Sequence, residues 1–346
     1  MLALLSIIVF VIDVQAKEPR IRDNGFEVSY FIINFYPYWI LNLVITFMSI
    51  LVFISVIFFT SKLANNTEIV AIISSGASFH RFARPYLITS GFIALTALSL
   101  NHFILPIANT KKNVLEPYTY NKMNRDKITG ISEVSVRISK NEYIFITSYN
   151  KKEKRGSGLL YQKYDANNRM TYQMNVGDFR WDAKKKQFEL NNYYEKTILK
   201  NDSEILGSGY QMMKSFGNPP EELFPDELIG QNKVTPELVK FIDREREKGN
   251  GNLSAYENEL YQRTSMPVSV IILTFLGLSL SSQKKRGGLG INLALGIALA
   301  FAFVFSFEVL KVVSENKVLP PMVAMWLPNI IFGPLAAYLY IKRANQ

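Results

Sequence analysis

The sequence contains no cysteine, which excludes a disulfide framework and any thiolate metal site. Histidine is almost as scarce: His80 and His102 are the only two, too few for a histidine-rich metal centre. No Gly-x-x-x-x-Gly-Lys-Ser/Thr run occurs. Gly207-Ser208-Gly209 and Gly287-Gly288 lack the lysine and the strand–helix context of a phosphate-cradling loop. Neither a Gly-x-Ser-x-Gly elbow nor a His-Glu-x-x-His pair is present. These absences argue against catalysis in this chain and against a bound cofactor or metal. Any ATP hydrolysis tied to it falls to a partner.

What is present is uneven. The mean hydropathy of +0.07 averages two populations. Residues before 109 and after 266 form long apolar runs, and the middle is rich in Lys, Asp, Asn and Tyr. That pattern reads as a membrane protein with one large aqueous insert. Five apolar runs are candidates to span a bilayer, which takes roughly 20 residues each: 38–60, 86–107, 268–282, 289–313 and 322–341. The third is short unless it begins near Ser265. A sixth apolar run, 2–14, has two readings. Val14-Gln15-Ala16 fits a signal-peptide cleavage site, but no basic residue precedes the apolar core, and a first membrane helix is the alternative. Asp13 reads as its boundary residue.

The formal charge of +10 invites a nucleic-acid reading. No base-stacking or groove-binding motif supports one, and membrane topology accounts for much of the excess. Lys62, Arg81 and Arg84 fall in one loop, Lys284, Lys285 and Arg286 in another, and Lys342 and Arg343 at the C-terminus, with Glu68 as the one opposing acid. By the positive-inside rule all three lie in the cytoplasm. The N-terminus is then inside and residues 109–265 outside. The expected organisation is N-terminal membrane helices over 1–108, an insert over 109–253, and C-terminal membrane helices over 254–346.

Within the insert the hydrophobic period changes to two. Strand candidates are 134–138, 143–147, 158–164, 170–176, 177–181, 187–194 and 195–199, separated by Asn- and Asp-rich turns. Short strands at close spacing predict an antiparallel sandwich or jelly roll. Ile144, Ile146 and Leu160 are candidates for its inward face. From Thr235 the helical period returns, with Pro236 in the first turn and a helix to about Lys248; a second helix begins at Ser254.

The stretch from Thr67 to Ser78, between the first two long apolar runs, predicts a short helix. Thr67 is its expected cap, Glu68 suits the positive end of its dipole, and Ile69, Ile72 and Ile73 share a face by i, i+3, i+4 spacing. These features alone fit a helix lying on lipid as well as one gripped by a soluble partner. Two further runs stand out: Tyr256 to Pro267, leading into an apolar helix, and Leu319-Pro320-Pro321 followed by Trp326-Leu327-Pro328-Asn329. A lone Pro-Pro would be an ordinary turn, and a lone Trp an ordinary interfacial anchor.

Together and in this order, these runs resemble the lipopolysaccharide-export permeases of the LptF/LptG family. The likeness is strong over 61–85 and 256–329 and weak in the insert. It implies about six membrane helices, with a periplasmic jelly-roll-like domain between the third and fourth. It also implies a bacterial inner-membrane location and an ABC transporter, in which a cytoplasmic ATPase dimer pairs with this subunit and a paralogous permease. Lipopolysaccharide then passes to periplasmic bridge proteins. On this resemblance Glu68, Ile69, Ala71, Ile72, Gly76 and Arg81 form the segment that couples to the ATPase. Lys17, Arg20, Arg22, Lys311 and Lys317 are candidates to meet lipid phosphates, against ordinary interfacial anchoring as the plain alternative. Ile144, Ile146 and Leu160 would line the path of the acyl chains. A membrane-anchored binding or scaffold protein is a different reading. A lipoprotein-releasing permease is a closer one, but its insert follows the first helix, whereas here two or three precede it.

Overall fold

The computed structural model describes residues 2–121, 130–151, 153–199, 201, 203–224, 228–248, 253–283 and 288–345. The basic run Lys284, Lys285 and Arg286 lies outside the described residues. Among the described residues, five helices are long and apolar enough to cross a membrane: Tyr36–Asn65, Phe79–Thr119, Ser254–Ser281, Leu293–Glu315 and Pro321–Ala344. They are the five runs marked in the sequence, and an all-β insert interrupts them. The molecule is therefore an α-helical membrane protein carrying a β domain.

Before the insert come α1 (Leu2–Asp23), α2 (Val28–Asn34), α3 (Tyr36–Asn65), α4 (Glu68–Ser74), α5 (Phe79–Ser99) and α6 (Leu105–Leu115). α1 runs well past the expected boundary at Asp13. The carboxylate does not end the helix because it is satisfied inside it: Lys17 Nζ is 2.9 Å away one turn on, and the Tyr36 hydroxyl donates to it at 3.1 Å. With Asp13, Lys17 and Glu18 within it, α1 is not among the five helices apolar enough to span. α5 continues into α6 through one π-turn at Leu100–Ile104. Pro106 follows at the start of α6, and the wider turn accommodates its missing N–H. The 41-residue rod is about 60 Å long, twice the hydrocarbon thickness, so one end projects beyond the bilayer.

Among the described residues, the insert holds one six-stranded antiparallel sheet in the order β1 to β6: Gly130–Ser139, Glu142–Asn150, Arg155–Tyr164, Met170–Asp182, Gln187–Ile198 and Glu204–Lys214. Each strand pairs with the next, so its topology is a meander rather than two packed sheets. Two pairs of expected short strands are each one long strand, since the backbone runs extended through Gly177 and through Tyr194-Glu195. β6 was not expected, because Gly207 and Gly209 obscure its period. Both glycines are needed there: a Cβ on Gly209 would meet the Tyr193 ring at 2.7 Å, and one on Gly207 the Glu195 side chain at 2.9 Å. Tyr193 and Gly209 are direct cross-strand partners, with the ring lying over the glycine.

One face of the sheet is buried. Val136, Ile144, Ile146, Tyr149, Leu159, Tyr161, Met174, Val176, Phe179, Phe188 and Leu190 pack there under Phe216, Leu223 and Phe224 from the segment that follows β6. Ile144 pairs with Tyr161 and Ile146 with Leu159 across β2 and β3. Leu160 pairs with Phe145 on the opposite face. Its expected place beside Ile144 and Ile146 is thus corrected: successive side chains alternate, and Leu159 occupies the inward position.

After the sheet come α7 (Pro220–Leu223), α8 (Ile229–Asn232) and α9 (Thr235–Lys248), then α10 (Ser254–Ser281), α11 (Gly288–Glu315) and α12 (Pro321–Ala344). α10 is one continuous helix, so the expected short span is the inner part of a rod about 42 Å long. It forms the axis of the bundle and packs against α3, α5, α11 and α12. Small hydroxyl residues on its buried face let the neighbours approach, and their hydroxyls bond back to the backbone or across: Ser269 Oγ to Ser49 Oγ at 2.8 Å, Thr274 Oγ1 to Val270 O at 2.7 Å.

Candidate functional site

Two constellations stand at opposite ends of α10. At the first, α4 lies against the end of α3. Ile69 is fully buried and Ile73 joins a buried cluster, so the inward face is i, i+4. Ile72, expected to share that face, lies off it; it is 39% exposed, alongside Val70 at 56%. Glu68, Ala71, Ser74 and Ser75 are exposed as well. The result is a small apolar patch on Val70, Ala71 and Ile72 with one carboxylate at its edge. Val70 is the member that sequence reasoning missed. Taking Ile69 and Ile73 as the inward pair would have left it outside.

The expected cap is also different. Thr67 adopts a left-handed backbone, φ 63°, and its side chain makes no capping bond. Its hydroxyl donates instead to Asn66 O at 2.6 Å, and Asn66 Nδ2 holds Glu68 Oε1 at 2.9 Å. Gly76 ends the helix as expected, with φ +92°, a conformation that favours glycine. Ser78 then caps α5 by accepting from the Arg81 amide at 3.3 Å, and the Arg81 side chain is exposed.

Behind α4 lies the buried cluster of Phe79, Ala83, Leu278 and Tyr340, with Ile73, Phe82, Tyr86 and Phe275 packed on it. Tyr340 Oη is 2.9 Å from His80 Nδ1, and Thr60 Oγ1 donates to the Tyr86 hydroxyl at 3.1 Å. Arg343 Nε donates to Ser282 Oγ at 3.0 Å and Nη2 to Ser282 O at 3.3 Å.

At the other end, the segment 230–235 is stitched to three helices. Arg263, 4% exposed, donates to Gly230 O at 2.9 Å, Lys233 O at 2.9 Å and Thr235 Oγ1 at 3.0 Å, and pairs with Glu259 at 3.0 Å. His102 Nδ1, in the π-turn, is 2.9 Å from Thr235 Oγ1. Asn42 Nδ2 donates to Asn109 Oδ1 at 2.8 Å, and Asn109 Nδ2 to Gln231 O at 3.3 Å. A polar cavity of about 160 Å3 opens between these helices, lined by Asn42, Asn101, Asn109, Lys112, Arg263 and Lys311 among others. A second, of about 520 Å3, lies beside it against Glu308, Lys311 and Glu315.

The five candidate headgroup cations do not behave alike. Lys17 is committed to Asp13 and to the faces of Trp39 and Phe35, and Arg22 to Glu18 at 2.9 Å. Lys311 lines both cavities and makes no ion pair with Glu308 among the described residues. Arg20 and Lys317 are exposed. Among the described residues no group of three or more His, Asp or Glu side chains stands ready to hold a metal ion.

A search of curated proteins yields no match. The sequence model of one family, described as "Lipopolysaccharide export system permease LptF/LptG", matches residues 1–342. A match over nearly the whole chain covers both the helical bundle and the β insert, and so the chain belongs to the LptF/LptG family of lipopolysaccharide export permeases.

Proposed function

We propose that this chain is one permease subunit of an ABC transporter, in which α4 docks into a groove of a cytoplasmic ATPase dimer. A second permease of the same family completes the membrane part. Lipopolysaccharide leaves the outer leaflet of the bacterial inner membrane through these helices. It passes to the insert on the periplasmic side, and onward along a protein bridge. The observation that carries this reading is α4: a two-turn helix joining two spanning helices, tethered by Ile69 and Ile73, with Glu68, Val70, Ala71 and Ile72 left facing outward. Hydrolysis belongs to the partner, and this chain supplies the moving parts.

Co-purification from native membranes tests the reading. An ATPase should accompany the wild-type chain and be depleted with Glu68→Ala, since a charge-assisted hydrogen bond contributes roughly 1.5–3 kcal/mol. Glu68→Gln separates hydrogen bonding from charge. A helix lying on lipid makes both substitutions nearly silent, and wild-type amounts of complex, hydrolysis and lipid release in Glu68→Ala would reject docking. Cysteines at Asn167 and Gln283 should label from opposite sides of the intact membrane; labelling from one side rejects the topology. Photo-crosslinkers at Ile144 and Ile146 should capture lipid once Phe216 and Phe224 move off the sheet.

A further inference from the structure

A load on a two-turn helix reaches the bundle only if something stiff lies behind it. The connection after α4 is not stiff by itself. Gly76 has nothing within 4 Å of a Cβ position, and residues 74–76 are exposed. The first buried residue beyond the loop is Phe79, and three chain segments converge on it. Its ring centroid lies 5.6 Å from that of Tyr340 in α12, and Leu278 of α10 shares its buried cluster. The Arg343 guanidinium stands 5.4 Å over the same ring. Ile73, the last inward residue of α4, packs on this cluster.

Arg343 performs a second task. Ser282 follows the last turn of α10 and is 2% exposed. Arg343 donates to both its hydroxyl and its carbonyl, and so caps the negative end of the α10 dipole with a cation. The plain alternative is a basic residue anchoring the helix end to lipid headgroups. Adjacent Lys342 is exposed and serves that purpose, whereas Arg343 is turned inward onto protein. Tyr340 completes the arrangement: its ring meets Phe275 of α10 edge-on at 5.0 Å, and its hydroxyl lies 2.9 Å from His80 at the start of α5.

We infer that Phe79, Tyr340 and Arg343 form a latch that locks the segment behind α4 to the ends of α10 and α12, so that movement of α4 displaces those helices instead of bending the loop. The inference rests on the docking reading of α4. These are positioning residues: they act through the protein contacts named above, by keeping the load path short. α10 then carries the displacement along its length to Arg263 and the segment beneath the insert.

The test uses the complete complex in proteoliposomes containing lipopolysaccharide, with ATP hydrolysis and lipid release measured in parallel. Arg343→Gln should assemble normally and hydrolyse ATP within about twofold of wild type, while lipid released per ATP falls about tenfold, the factor expected for a lost charged hydrogen bond. Arg343→Lys keeps the cation at the helix end and should recover part of that loss. Tyr340→Phe removes one hydroxyl and should lower the ratio about threefold. An unchanged ratio in assembled Arg343→Gln overturns the latch. A proportional fall of hydrolysis and release also overturns it, because a merely loosened fold slows both. Should Arg343→Gln not assemble, the ratio in Tyr340→Phe decides the matter. Glu68→Ala is run alongside: if it leaves assembly, hydrolysis and release untouched, the docking reading fails, whatever the latch variants show.

Discussion

Arg263→Ala is the substitution whose cost follows most directly from the geometry. The guanidinium is 3% exposed and Glu259 is 19% exposed, so the pair is largely withdrawn from water. Removing one partner of such a pair costs about 3–5 kcal/mol, because a charge is left without compensation. Gly230 O and Lys233 O also lose their donors, at about 1–3 kcal/mol for each carbonyl that water cannot reach. These terms overlap and do not add, so about 4 kcal/mol is the working figure. The loss is local. It should appear as faster amide exchange through α8 and the first turn of α9, with the spanning part of α10 unchanged. At this magnitude the protection factor in 229–238 falls roughly a thousandfold. Glu259→Gln should cost less, about 1–2 kcal/mol, because Glu259 retains some contact with water and the guanidinium keeps its carbonyl partners. The double variant Arg263→Ala/Glu259→Ala should be milder than the sum, since it leaves no uncompensated charge. Exchange mass spectrometry on the full chain in nanodiscs reads all three. If exchange over 229–238 in Arg263→Ala stays within about threefold of wild type, the clasp does not hold this segment and the reasoning is wrong.

Other outcomes follow from the same structure. Leu159→Ala removes a side chain that is 1% exposed and should destabilise the insert by about 2–5 kcal/mol, whereas Leu160→Ala on the opposite face should cost about 1 kcal/mol or less; limited proteolysis of the insert compares them, and equal sensitivity refutes the register. Gly76→Ala should raise exchange in α4 through about 1 kcal/mol of backbone strain at φ +92°, and Gly76→Asn should do so less, since nothing within 4 Å obstructs either side chain; indistinguishable variants count against the left-handed assignment. The amides of Lys185 and Lys184 donate to Asp182 in the β4–β5 turn and hold its carboxyl below the usual aspartate range. Its contribution is therefore complete above that range and lost as pH falls through the lowered value. Amide protection at Lys184 and Lys185, corrected for intrinsic rates, should drop in that acidic window in the wild type and show no such step in Asp182→Ala.

Local periodicity was enough to mark much of this protein. The five spanning helices, the two-residue alternation of β2 and β3, and the helix beginning at Thr235 all declare themselves through residues close in sequence, because helix and strand periods are local properties. The family was legible from short runs at 61–85 and 256–329. Phase was harder to read. Leu159 and Leu160 are both apolar, and only pairing with β2 decides which one faces inward. Ile72 and Ile73 present the same ambiguity on α4, settled by where α3 and the Phe79 cluster lie. β6 stayed hidden because its glycines make room for Tyr193 and Glu195, side chains of another strand.

The least legible residues were the two arginines. In sequence Arg263 is one charge in a polar run and Arg343 one of several basic residues at a helix end. Tertiary structure alone brings Arg263 to carbonyls some 30 residues earlier and Arg343 to Ser282, 61 residues away. A buried charge is tolerable only where partners from distant segments converge on it, and no local pattern records that convergence.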